Sequence, residues 1–448
     1  MRKISAIIFV LIFTLCFGIV TFSQVKVTPL NIKEKILSNG LRFVSVQDNS
    51  SPNVTIQVWY NVGSKNDPTG RNGFAHLFEH LMFKSSKNLK SEQFDRMTED
   101  VGGFNNASTS DDVTNYYEVV PSNYLETLIW AEAERMVNLN VDEPNFKSER
   151  AVVQEEFRQS VLAQPYGRFY EEIQKQSFNV HPYKRTTIGT IEDLQAASLE
   201  DVRNFYKTFY RPDDATLIVV GDFDQTQLDG WVNKYFGRIA KPNGAIPRIT
   251  EVEPERTAEK RAVIKAPNVP LPAVAITYLA PDAKSKDMPA LQIAEAILSN
   301  GESSRLNQEL VYKQQIAQDA SFSVDERTDK GLMYFTATLA SGKTPEMAEK
   351  SLLAELKKIQ TTGVTAKELA KAKNGIIANA IRRFESNDGK AFAIGQSVIL
   401  QGSAQVVNNQ VAKLQAVTAA DVQRVMKQYF KDNNRVVLYY VNDDGGQK

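Results

Sequence analysis

Two of the chain's three histidines, His76 and His80, stand four residues apart in "GFAHLFEHLMFKSS" (73–86), with Glu79 between them. Four residues of helix make one turn plus about 40°, so both imidazoles leave one face and can reach a single ion. Neutral imidazoles at that spacing suit Zn2+, which in a catalytic site takes three protein ligands and keeps a fourth position open. Beside them, the Glu79 carboxylate can take a proton from an attacking water and later hand it to a leaving amine. The order His-x-x-Glu-His inverts the commoner His-Glu-x-x-His and is itself a zinc-peptidase signature. A surface helix that merely carries polar histidines is the plainer reading. Against it stand the apolar neighbours Phe74, Leu77, Phe78, Leu81 and Met82, which describe a helix packed on several sides. Two histidines and a carboxylate also leave Mn2+ and Co2+ open.

The third ligand must come from elsewhere. His181, in "VHPYKR", is one candidate, and the acidic segment "EPNFKSERAVVQEEFRQSVL" (143–162) offers Glu149, Glu155 and Glu156. Pro144 marks the first turn of a helix there. Glu149 and Glu156 are two turns apart on one face, whereas Glu155 is rotated by about 100° from Glu156. Spacing therefore favours the 149/156 face over Glu155. One carboxylate of that pair would bind the metal and the other would orient the ligands, the alternative being carboxylates that only face water.

The elements that must hold these groups occur twice. "LQAASLEDVRNFYKTFYRPDDATLIVVGD" (194–222) runs with "LQAVTAADVQRVMKQYFKDNNRVVLYYVND" (414–443) at an offset of 220 through most of its length, and the same offset sets "VTIQVWY" from Val54 on "VAITY" from Val274. Both long copies read as a helix capped by Ser198 or Thr418, a polar turn and a strand. The Pro- and charge-rich stretch 241–261 reads as a linker between residues 24–240 and 262–448. "LSNGLRF" (37–43) carries the hairpin signal that opens the first copy. Each half is thus expected to be an α+β domain, a sheet covered by helices on one side. Duplication also supplies an internal control. At offset 220, His76, Glu79 and His80 fall on Ala296, Ser299 and Asn300, so the shared scaffold does not require the histidines.

Composition narrows the function classes. Lys+Arg and Asp+Glu both count 53, which leaves no basic field for nucleic acid. The N-terminus has Arg2 and Lys3, an apolar run from about Ala6 to Val20, and small residues up to Ser23. That is the layout of a cleaved signal peptide (1–23), so export to a bacterial periplasm is expected. Its removal leaves 51 cations against 53 acids and takes away the only cysteine, Cys16. A mature chain without cysteine must hold any metal with His, Asp or Glu.

The chain resembles the pitrilysin/insulinase family of zinc peptidases, in the subfamily that includes the mitochondrial processing peptidase. The likeness is carried by "LSNGLRFVSVQ", "GFAHLFEHLMFKSS", "ERAVVQEEFRQ", "HPYKRTTIG", "FYRPDDATLIVVGDFD" and "SSRLNQELVY". It implies a fold of two duplicated α+β domains, each a mostly antiparallel sheet covered by helices. It implies one Zn2+ per chain on His76, His80 and Glu156, with Glu79 as base and Glu149 as an acidic helper. "VGGFNNASTSDDVTNYY" (101–117) is similar to the family's G-x-x-N-A-x-T stretch, which implies Asn106, Ala107 and Ser108 as contacts to an extended peptide substrate. The family's second half usually carries an arginine and, seven residues on, a tyrosine that stabilise the oxyanion. Here those positions hold Val311 and Gln318, and the nearby Arg305 and Tyr312 do not fill them. The resemblance therefore implies a homodimer or a heterodimer with a related chain that supplies the Arg/Tyr pair. The rival expectation is a non-catalytic structural or chaperone-like subunit of the same fold.

Overall fold

The computed structural model describes residues 27–443, so the segment read as a signal peptide lies outside the described residues. The first sheet contains β1 (Lys33–Ile36), β2 (Arg42–Gln47), β3 (Asn53–Tyr60), β4 (Phe104–Thr109), β5 (Thr114–Pro121) and β6 (Ala215–Gly221), in the order β1-β2-β6-β3-β5-β4. The second contains β7 (Lys260–Ala266), β8 (Ala273–Leu279), β9 (Ala317–Asp325), β10 (Leu332–Leu339) and β11 (Val436–Asn442), in the order β7-β11-β8-β10-β9. Apart from β1, the second sheet repeats the first strand for strand. In each, the last strand runs parallel to the first of the shared set (β6 to β2, β11 to β7) and every other pairing is antiparallel. This is the duplicated, mostly antiparallel α+β architecture expected. Ser198 and Thr418 both cap their helices, each in a capping box closed by Asp201 or Asp421.

The expectation of helices on one side of each sheet needs correction. One face of the first sheet, with Ile56, Val58, Leu217 and Val219, packs on helices of its own half, Phe74–Leu81 and Leu125–Asn138 among them. Its other face, with Val44, Val46, Trp59, Ile218 and Val220, is covered by Ile394 and Val398 of the helix Asn387–Gln401 from the second half. The second sheet returns the arrangement. Ala273, Ala275, Leu438 and Tyr440 pack on Phe169 and Ile173 of the helix Gly167–Ser177 from the first half. Strands β6 and β8 are buried at every residue, as their largely apolar runs demand: a strand with no charged or strongly polar face needs cover on both.

The segment between the halves is irregular up to β7 yet tied down. Glu253, 1% exposed, accepts from the backbone N–H groups of Asn179, Val180 and His181 at 2.8, 3.0 and 3.0 Å.

Candidate metal centre

The helix Phe74–Leu81 buries Phe74, Ala75, Leu77, Phe78 and Leu81, with Phe78 stacked on Tyr206 at 5.4 Å between ring centroids. Two N–H groups at its start are satisfied by Asp67, which accepts from Gly73 N at 2.7 Å and Ala75 N at 2.9 Å. Gly73 enters the helix at φ +95°, and a Cβ there would sit 2.6 Å from the Ile188 carbonyl oxygen. Only glycine allows this approach of the "HPYKRTTIG" segment, which fixes where the helix begins. With the apolar face docked, His76, Glu79 and His80 remain half-buried on the other.

The acidic helix Glu143–Phe157 starts on Asp142, which caps it by accepting from Asn145 N at 3.0 Å, with Pro144 in the first turn. It docks through Phe146, Glu149, Val153 and Phe157 and carries Glu156 to the histidines. Glu156 Oε2 lies 3.7 Å from His76 Nε2 and 3.5 Å from His80 Nε2. One ligand atom from each of the three residues falls within 4.8 Å of the others. Bonds of about 2.0 to 2.1 Å to a tetrahedral Zn2+ would separate neighbouring ligand atoms by about 3.3 Å, so these residues fit such an ion with little adjustment.

Glu149, 5% exposed, stands behind His80, its Oε2 3.7 Å from Nδ1, while Lys84 Nζ at 2.7 Å and Ser148 Oγ at 2.9 Å hold its Oε1. The His80 ring is thereby faced by a carboxylate at each nitrogen, an arrangement that orients an imidazole for metal binding. Burial pushes His76 down to about 4. Burial also lowers His80, but Glu149 and Glu156 outweigh it and lift this group to about 9. His80 and then His76 hold Glu156 below the usual carboxylate range, while burial raises Glu79 against the hydrogen bond that Thr109 Oγ1 gives its Oε2. Neutral His76 and ionised Glu156 are the states a cation needs, and His80 must shed its proton to bind one.

Glu155 faces outward, bonded to Arg158 and Gln159. His181, 2% exposed, sits away from the pair, its Nε2 3.5 Å from Asp329 Oδ2 of the second half. Asn106, Ala107 and Ser108 lie on β4, an edge strand with no partner on its outer side among the described residues. Arg305 is committed to Glu368 and the Gly363 carbonyl, Tyr312 is 51% exposed, and Gln318 lies exposed on β9. A cavity of about 890 Å³ in the second half, lined by Glu295, Glu326 and Arg383 among others, holds none of the histidines. Two contacts have no counterpart in the reading of the sequence: Thr109 on Glu79 and Lys84 on Glu149. Thr109 closes the G-x-x-N-A-x-T stretch, which was its only signal.

The family model described as "Insulinase (Peptidase family M16)" matches residues 42–191, and the one described as "Peptidase M16 inactive domain" matches residues 196–376. The "Zinc protease PqqE" of Helicobacter pylori is 33% identical over 405 residues, covering 90% of this chain and 91% of the relative. The chain belongs to the insulinase (peptidase M16) family. A solved structure described as a protease from Helicobacter pylori superposes with a TM-score of 0.89 at 32% identity, covering 92% of this chain and all of that one. An Arabidopsis thaliana chain named "Probable mitochondrial-processing peptidase subunit beta, mitochondrial" is 23% identical over 406 residues, 89% of this chain and 76% of its own. Zinc is thus the metal of M16 relatives by name, and the histidine helix falls within the insulinase match.

Proposed function

We propose that this chain is an exported zinc-dependent endopeptidase that cleaves unfolded peptides, with one Zn2+ held by His76, His80 and Glu156. The observation that carries the reading is the convergence of those three residues beside Glu79 at the foot of an open edge strand. Zinc, when bound, would supply Lewis-acid activation of the attacking water and the scissile carbonyl. Glu79, buried enough to hold a proton more readily than a free carboxylate, takes one from the water and returns it to the leaving amine. Glu149 keeps the His80 ring turned toward the ion.

Strand β4 aligns the substrate. Ser110 N donates to Val113 O at 2.8 Å, so by antiparallel alternation Asn105, Ala107 and Thr109 turn their backbone groups to the open edge. An extended peptide would pair there by strand addition, replacing the bond that Asn106 Oδ1 makes to Ala107 N at 2.8 Å. An unfolded segment has no backbone partners of its own and can lie along this edge into the metal site, which accounts for the choice of unfolded substrate.

Glu156 keeps 43% of its side chain exposed, which leaves the site open to a second surface that, by analogy with the family, would close it into a chamber. With Val311 and Gln318 at the Arg/Tyr positions, that surface also has oxyanion donors to supply, each worth about 2.7 to 4 kcal/mol by analogy. A homodimer or a related partner chain fills both needs. The N-terminal cations and apolar run support export to the periplasm.

The test is cleavage of a mixed peptide pool by the mature chain, residues 24–448, beside its Glu79→Gln variant, with bound zinc counted in both. Cleavage by the wild type alone supports the reading, and equal cleavage by both refutes it. No cleavage with one zinc per chain assigns the missing donors to a partner. Neither cleavage nor zinc returns the chain to the scaffold alternative.

A further inference from the structure

Strand β4 ends beside Glu79, and the turn that follows is gripped by the half that carries no metal ligand. Thr109 donates through Oγ1 to Glu79 Oε2 and lies 3.3 Å from Thr114 Oγ1 across the hairpin. Thr114 in turn donates to the Val62 carbonyl at 3.0 Å. The turn between them, residues 110–113, is bonded on two sides. From its own half, Ser64 N and Lys65 N donate to the Ser110 and Asp111 carbonyls, each at 3.1 Å. From the second half, Thr328 gives the Asp112 carboxylate two bonds, from N at 3.0 Å and from Oγ1 at 2.6 Å. Arg327, 3% exposed, pairs with Asp111 at 3.1 Å and lies over the Tyr183 ring at 4.5 Å. Lys65 Nζ, 2.7 Å from Asp112 Oδ1, and the Tyr183 hydroxyl complete the cluster.

Residues 326–331 join β9 to β10, the strands that correspond to β4 and β5. Equivalent hairpins of the two halves therefore interlock, but only one of them ends on a catalytic group. We infer that Thr109 is a positioning residue for Glu79, and that Arg327 and Thr328 of the metal-free half hold it in place through the hairpin 110–113. A glutamate side chain has three rotatable bonds, and a hydroxyl donor on one oxygen selects a single arrangement while leaving the other oxygen to exchange a proton. Asp111 pairs with Arg327 of the second half, and buried Asp112, paired with Lys65 of its own half, also accepts two bonds from Thr328 of the second, so the hairpin cannot shift without breaking contacts to buried charges. The role given to Thr109 rests on reading Glu79 as the base of a peptidase.

The experiment uses the zinc-loaded mature chain with Thr109→Val, Thr109→Ser and Thr328→Val, read by kcat and KM on a quenched peptide, bound zinc, and amide hydrogen exchange at residues 108–115. Thr109→Val should lower kcat by about tenfold or more with KM changed by less than about twofold and zinc retained, because a base even about 1 Å out of place transfers protons poorly. Thr109→Ser, which keeps the hydroxyl, should recover most of the rate. Thr328→Val should speed exchange across 108–115 by about tenfold and lower kcat without loss of zinc. The inference is overturned if Thr109→Val turns over at the wild-type rate, if serine rescues no better than valine, or if Thr328→Val leaves exchange unchanged. Should Glu79→Gln cleave the peptide as fast as an active wild type, the peptidase reading fails and takes the role of Thr109 with it. The clamp is then decided by exchange alone.

Discussion

In the proposed peptidase, three side chains on one face of a short helix would have opposed needs: two imidazoles give up protons to bind a cation, and one carboxylate exchanges a proton repeatedly. Their surroundings separate these needs, with carboxylates at both nitrogens of His80 and a hydroxyl with partial burial at Glu79. Glu79→Gln keeps the shape and removes the base, so turnover should fall by about 100-fold or more while zinc stays bound, checked by single-turnover kinetics on the metal-loaded protein. Glu149→Gln removes the charge facing His80 Nδ1. It should weaken zinc binding by about 10- to 100-fold, measured by competition with a chromophoric chelator. The common face of the histidines follows from the helix period alone. Helical spacing put Glu156 and Glu149 on one side, but it could not say which of them would reach the pair, because that depends on how two helices dock. The Thr109 contact was illegible for the same reason, since it joins a strand end to a helix thirty positions away in sequence.

At the scale of elements, the helix start at Gly73 and the capped helix Ala366–Arg383 carry separable predictions. Gly73→Ala places a Cβ 2.6 Å from the Ile188 carbonyl at a positive φ. The cost should exceed about 1 kcal/mol, and because the whole histidine helix shifts, the melting temperature and zinc occupancy should fall together. Glu368 closes the capping box of Thr365 and forks with Arg305 at 2.6 and 2.9 Å, which holds its carboxyl down to about 2. A depressed carboxylate contributes stability above its unfolded pKa of about 4.5 and loses it as pH falls toward 2. With 30% of the side chain in water, about 1 to 2 kcal/mol should disappear over that window. Glu368→Gln should remove the same increment at neutral pH and flatten the acid limb of a denaturant titration. Caps and turns such as Ser198, Thr418 and Pro144 are readable from sequence because their partners lie within a few residues. The tight entry at Gly73 is not, since the carbonyl it approaches belongs to residue 188.

For the whole molecule, each half finishes the other. Helix Asn387–Gln401 covers the first sheet, helix Gly167–Ser177 covers the second, and the hairpins interlock between them. The repeat at offset 220 reveals two like units but not this exchange, because hydrophobic periodicity shows that a face is buried without naming what buries it. Gly395 marks one close approach between the halves: a Cβ there would lie 2.2 Å from Trp59 Cε2. Gly395→Val should cost about 2 to 3 kcal/mol by overpacking and lower one shared unfolding transition. Tryptophan fluorescence and far-ultraviolet circular dichroism should still coincide, and two separated transitions would show that the halves fold independently.

The most direct test of the account is the anomalous zinc signal in crystals of the mature chain. It predicts one peak per chain, about 2.0 to 2.2 Å from His76 Nε2, His80 Nε2 and a Glu156 oxygen, with Glu149 behind His80 and outside bonding range. The absence of a peak from zinc-supplemented crystals, or a peak bound by other residues such as His181, would contradict it.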